Sequence, residues 1–149
     1  GLVSAEDIAV LRSVLLSQQV EMATLRLPIR SYQEFTDPNV IKVVCNHDNR
    51  ALYLSRAPIP FEPGQHHFRG GFRYIGVDGY RFDFLLALAA TAPHRLEEVE
   101  DLELLRALDV GAQILCVDAK HTTEQWLTEK RRRKRPRTKH STPPSELHP

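Results

Sequence analysis

The sequence predicts a layered α/β domain. Two observations carry that reading: a capped, amphipathic helix near the N-terminus runs directly into an alternating strand, and a pair of β-rich runs around a polar reversal is followed by helical segments and a last apolar strand. With 149 residues, 42% of them hydrophobic, the chain can bury one core.

Ser4 precedes Ala5-Glu6-Asp7 and the apolar series Ile8, Leu11, Val14 and Leu15, so a capping hydroxyl, first-turn acids and helical spacing agree on a helix over 5–17. From Met22 to Ile29, Leu25, Leu27 and Ile29 alternate with Thr24, Arg26 and Pro28. That is the period of a half-covered strand, placed near a sheet edge by Pro28. Val40–Cys45 and Ala51–Ser55 read as strands joined by Asn46-His47-Asp48-Asn49-Arg50, whose Asn and Asp residues suit a tight reversal. A β-hairpin is expected.

Residues 56–72 hold three of the ten prolines and three of the seven glycines, with His66 and His67 in the middle, which reads as a long loop of the kind that covers substrates. Arg73–Tyr80 is a strand bent by Gly76 and Gly79. Phe82–Ala90 and Leu96–Leu108 read as helices separated by Pro93, the second with an apolar stripe of Leu96, Val99, Leu102 and Leu105 among solvated acids. Ile114–Val117 is a last core strand. Thr122-Thr123-Glu124-Gln125 fits a capping box for a short helix running into Lys130–Arg135, and disorder is expected beyond Pro136.

Charge is segregated along the chain. Residues 1–129 carry a net −6 and residues 130–149 a net +7, so the expected organisation is a mildly acidic body over 1–129 and a basic tail over 130–149. No apolar run is long enough to span a bilayer and no secretory pattern opens the chain, so no membrane insertion and a cytoplasmic location are expected. Cys45 and Cys116, each in a strand-like run, are expected to be buried free thiols. The His66-His67 pair has no third ligand at useful spacing, and Ser55 lacks a His and an acid at the spacing of a hydrolase triad.

Several stretches resemble the 3-deoxy-manno-octulosonate (Kdo) cytidylyltransferases: Met22-Ala23-Thr24-Leu25, Asp37-Pro38-Asn39-Val40-Ile41-Lys42-Val43-Val44, Ala51 through Pro60, and Leu102-Glu103-Leu104-Leu105-Arg106. The likeness covers residues 4–118. It implies a nucleotidyltransferase-type mixed sheet flanked by helices, here a partial one that lacks the N-terminal nucleotide-binding half, with a hairpin arm serving a homodimer. It also implies a reaction in which the anomeric hydroxyl of the acid sugar attacks the α-phosphorus of CTP, Mg²⁺ shields the phosphates, and pyrophosphate leaves, in service of lipopolysaccharide synthesis. The chain shows no Gly-rich phosphate loop, so as an isolated chain it is expected to be inactive.

The resemblance assigns the sugar side to Ser55, Arg56, Arg73, Tyr80, Glu100 and Glu103. The family pattern departs at Tyr74, where a His is expected, at Asp78, where a Tyr is expected, and at Leu104, which replaces a Gln. The metal carboxylate is matched either by Asp118 or, in a second alignment, by the position that His121 occupies. Two other functions remain open from sequence: a non-catalytic dimerisation or binding module, and weak nucleic-acid association through the eight basic residues of Lys130–Lys139.

Overall fold

The computed structural model describes residues 4–120 together with 131 and 132. Its elements run α1 (Ala5–Ser17), β1 (Met22–Ile29), α2 (Tyr32–Thr36), β2 (Ile41–Cys45), β3 (Ala51–Ser55), β4 (Gly71–Tyr80), α3 (Phe82–Ala89), α4 (Arg95–Glu100), α5 (Leu104–Asp109) and β5 (Ile114–Asp118). The five strands form one sheet in the order β3-β2-β4-β1-β5, with β1 and β5 parallel and the other neighbours antiparallel. The α/β class is as the sequence predicts. No helix among the described residues is long and apolar enough to cross a membrane.

Ser4 caps α1 by accepting from the Asp7 amide at 3.1 Å. The same end of the helix is tied to the end of β5, since the Lys120 amide donates to Asp7 at 2.9 Å and its ammonium pairs with Glu6 at 2.7 Å. The hairpin β2–β3 is present, closed by hydrogen bonds around Asn46. In β4, Gly76 takes φ of +77° opposite a register shift in β1, which is the expected bend.

β1 is not a half-covered edge strand. It lies between β4 and β5, and all its residues but Pro28 are buried. Pro28 is tolerated because β5 pairs only with Met22–Arg26, so the proline falls beyond the end of that ladder. Alternation instead sorts β1 and β5 between two apolar layers. Met22, Ile114 and Cys116 join Leu54, Leu102 and Leu105 on one side, while Ala23, Leu25 and Leu115 join Leu11 of α1 on the other.

The long helix expected over 96–108 is two short ones. Asp101 adopts a left-handed conformation (φ 53°) and the chain turns there. The expected stripe is therefore split: Leu102 and Leu105 are core residues, but Val99 is 67% exposed. The acids of this stretch are not all solvated either. Glu97 is buried and accepts two hydrogen bonds from Arg106 of α5, at 2.8 and 2.6 Å, which lock the two helices together.

A short helix, α2, is absent from the sequence reading. Ser31 caps it, and it exists to seat Phe35, which is 1% exposed against Ile29 and Val40 with Tyr32 and Phe68 beside it. The loop from 56 to 70 contributes Phe68 to that cluster, its ring 5.0 Å from that of Phe35. The expected helix after Thr122 falls mostly outside the described residues, of which Arg131 and Arg132 are helical and exposed. The expected disorder beyond Pro136 lies outside them altogether.

Phe35→Ala should destabilise the domain by about 3–5 kcal/mol, read by urea denaturation, because the aromatic cluster cannot collapse into the space left. The Arg106 hydrogen bonds outweigh burial and hold Glu97 below the ordinary carboxylate range. Its contribution to stability is thus present above the unfolded-state value of roughly 4.3 and is lost as pH falls through the lowered folded-state value. Thermal melts of Glu97→Gln should be lower than wild type at neutral pH and converge with it in acid; equal melts at neutral pH would show that the lock is dispensable.

Candidate functional site

A cleft of about 250 Å³ opens where β2, β3 and β4 meet the link between α4 and α5. Its apolar walls are Ile41, Leu54, Leu102 and Leu104, and its polar lining comes from Tyr74, Asp78, Tyr80, Asp101 and Glu103. Strand period explains half of this set: Tyr74, Asp78 and Tyr80 are separated by even numbers of residues along β4 and so share a face. The break at Asp101 explains the rest, since it turns Glu103 toward the strands rather than onward along a helix.

Within the cleft, the Tyr74 hydroxyl donates to Asp78 Oδ2 at 2.6 Å. Thr24 Oγ1 lies 2.7 Å from Asp78 Oδ1 and 3.0 Å from the Val77 carbonyl oxygen, and its one hydrogen serves one of them at a time. Burial pushes the Asp78 carboxyl above the usual carboxylate range in spite of these hydrogen bonds, with the Glu103 charge adding to the effect. Burial and the charge of Asp78 also push Tyr74 up, and burial with the charges of Asp78 and Glu103 pushes Tyr80 up to about 12. Both phenols are therefore protonated donors at neutral pH.

Of the residues singled out from sequence, Tyr80 and Glu103 come together in this cleft. Ser55, Arg56 and Glu100 form a strut at its rim. Ser55 Oγ accepts from the Ala57 amide at 3.0 Å, fixing the turn out of β3. Arg56 Nε donates to the Glu100 carbonyl oxygen at 2.8 Å, while its terminal nitrogens reach the carbonyl oxygens of Pro38 and Asp101 at 3.2 and 3.3 Å. The Arg56 amide reaches the Glu100 carboxylate at 3.3 Å. The guanidinium thus caps the carbonyls freed where α4 ends and holds Asp101 at the cleft wall.

Arg73 and Asp118 stand apart from the cleft. Arg73 is buried and pairs with Glu34 of α2 at 3.1 Å. Asp118, at the end of β5, accepts from Arg26 Nε at 2.8 Å, and the Arg26 guanidinium also stacks 3.8 Å over the Phe72 ring. His121 lies outside the described residues. No group of three or more His, Cys, Asp or Glu side chains that could hold a metal ion occurs among the described residues. Thr24 was not singled out from sequence, and Tyr74 and Asp78 figured there only as departures from the family pattern. The period-two spacing of Tyr74, Asp78 and Tyr80 was the signal that groups the last three.

A cytidylyltransferase family model matches residues 1–114. The 3-deoxy-manno-octulosonate cytidylyltransferase of Pelobacter propionicus is 42% identical over 118 residues, which are 72% of this chain and 46% of that enzyme. The enzyme of the same description from Thioalkalivibrio sulfidiphilus is 46% identical over 101 residues, covering 64% of this chain and 40% of its own. A solved CMP:2-keto-3-deoxy-manno-octonic acid synthetase, complexed with CTP, superposes with a TM-score of 0.73 at 26% identity over 89% of this chain and 56% of that one. The chain spans about half the length of these relatives. A family match that takes in every strand up to the start of β5, joined to the same fold in a solved synthetase, leads to one assignment: this chain belongs to the cytidylyltransferase family, alongside the 3-deoxy-manno-octulosonate cytidylyltransferases.

Proposed function

We propose that this chain supplies the acid-sugar side of the reaction that joins CTP and Kdo into CMP-Kdo with release of pyrophosphate. The observation that carries the reading is the cleft in which Tyr80 and Glu103 meet, in a chain of this family. Glu103 is exposed at the cleft mouth and accepts hydrogen bonds from sugar hydroxyls. Tyr80, a neutral donor, gives one in return. Arg56 keeps the wall in place by holding the Glu100 and Asp101 carbonyls, so its role is to position rather than to touch the sugar.

In the transfer, the anomeric oxygen forms a bond to the α-phosphorus, the bond from that phosphorus to pyrophosphate breaks, and the hydroxyl proton is lost. Magnesium, the group that the family implies, would stabilise the charge that develops on the phosphates. The described residues do not fit it by themselves: magnesium of this kind is held by one or two free carboxylates with waters and substrate phosphates, whereas Asp118 already gives one oxygen to Arg26 and belongs to no group of three or more His, Cys, Asp or Glu side chains among the described residues. No Gly-rich phosphate loop or Gly-Lys-Ser/Thr motif that would hold a triphosphate occurs in the 149 residues.

Titration of the ¹⁵N-labelled chain with Kdo should shift amide signals at Tyr80 and Glu103. Glu103→Gln should weaken that binding roughly fivefold, the equivalent of about 1 kcal/mol for a hydrogen bond to a carboxylate that solvent partly screens. Shifts confined to other faces, or binding indifferent to Glu103→Gln, would reject the sugar site. Supplied with CTP, Kdo and Mg²⁺, the purified 149-residue chain should release no pyrophosphate beyond a protein-free control; sustained release would mean that the chain binds the triphosphate through groups other than the expected motif.

A further inference from the structure

The 149 residues contain two cysteines, and the fold brings them together from β2 and β5, strands that two others separate in the sheet order. Cys45 ends β2 and is half-buried; Cys116 is in the middle of β5 and is buried. The contact follows from the backbone. The reversal after Cys45 is fastened onto β5: the Cys116 amide donates to the Asn49 carbonyl oxygen at 2.8 Å, Arg50 forms an antiparallel bridge with Leu115, and Arg50 Nε donates to Gln113 at 3.2 Å. Cys45 packs against the apolar cluster of which Cys116 is a member, and the two thiols are near enough there to shift each other's ionisation. Arg26 sits beside them, its guanidinium bonded to Asn49 Oδ1 at 3.2 Å and to Asp118 at 2.8 Å.

This arrangement differs from that of two structural thiols that happen to be buried. Cys45 is half-buried where Cys116 is buried, and the Arg26 guanidinium, paired with Asp118, stands near Cys45. The neighbouring Cys116 thiol together with the Arg26 guanidinium outweighs burial and holds the Cys45 thiol below its ordinary value, which favours its thiolate. The proposed sugar-side chemistry uses neither thiol.

We propose that Cys45 and Cys116 form a dithiol site that undergoes exchange with small-molecule disulfides and closes to an intramolecular disulfide between β2 and β5. The Cys45 thiolate attacks one sulfur of the small disulfide, forming a mixed disulfide and releasing one small thiolate. Cys116 then gives up its proton and attacks the Cys45 sulfur, forming the internal S–S bond and releasing the second small thiolate. The two protons lost by the cysteines end on the two released thiols; the protein dithiol is oxidised by two electrons and the small disulfide is reduced by two. Cys45 is the attacking residue and Cys116 the resolving one, as their exposure requires.

The test uses the full 149-residue chain and oxidised glutathione as the probe. Intact mass spectrometry should show the wild-type chain losing the mass of two hydrogen atoms, with both cysteines then closed to iodoacetamide and both reopened by a reductant. Cys116→Ser should instead stop at a mixed disulfide carrying one glutathione on Cys45, whereas Cys45→Ser should remain unmodified. In the reduced wild type, iodoacetamide should label Cys45 at least about tenfold faster than Cys116. A wild-type chain that stays at the mixed disulfide, that forms only disulfide-linked dimers, or that keeps both thiols open to iodoacetamide overturns the proposal, and so does glutathione carried by Cys116 in Cys45→Ser.

Discussion

The structure depends on the backbone of β1, which is paired on both sides at once. It joins antiparallel β4 to parallel β5, and its side chains alternate between the layer of α1 and the layer of α5. Each of Met22, Ala23 and Leu25 has no exposed surface, so the strand is both a hydrogen-bonding spine and the meeting line of two apolar layers. A polar residue survives in such a strand only if its partners are built in. Thr24 is met by Asp78 and Val77, and Arg26 by Asp118, Asn49 and the face of Phe72. Thr24 thereby reaches the floor of the cleft through Asp78, and Arg26 reaches the reversal after Cys45 through Asn49.

A second constraint comes from Arg56, where a side chain does what a helix would otherwise do for itself. The carbonyls of Glu100 and Asp101 have no next turn to bond, and the guanidinium from the end of β3 takes them. The chain can then bend at Asp101 and present Glu103 to the strands. A continuous helix would have placed Val99 and Leu102 on one stripe; the bend gives up the burial of Val99 and gains the cleft. The Glu97–Arg106 pair holds the two short helices at the angle that results.

What could be read from sequence follows this division. Local signals sufficed for α1, whose cap and first-turn acids lie within a few residues of one another, and for the β2–β3 reversal, whose Asn46 makes its own turn. They failed where the deciding partner is far away. The position of β1 inside the sheet rather than at its edge is set by β5, some ninety residues on, and Pro28 misled because only the length of β5 makes it harmless. The split of α4 from α5 is set by Arg56, forty-four residues back. In the cleft, the family pattern pointed to Tyr80 and Glu103, which the structure brings together, and to Arg73 and Asp118, which it holds in separate ion pairs with Glu34 and Arg26.

The three departures from the family pattern are not scattered. Tyr74, Asp78 and Leu104 all line the same cleft, and their chemistry is mutually consistent. A carboxyl as buried as that of Asp78 would be costly alone, but Tyr74 supplies a donor at 2.6 Å and Thr24 a second hydroxyl at 2.7 Å, so the pair is self-satisfied. Leu104 is 5% exposed among Leu102, Leu105 and Met22, a position where an amide would need partners and an aliphatic side chain needs none. Single changes at these positions would each leave an unmet polar group or an unfilled wall, whereas the three together leave a packed surface with Tyr80 and Glu103 facing outward. The polar groups left at the mouth of the cleft are thereby one neutral donor, Tyr80, and one acceptor, Glu103.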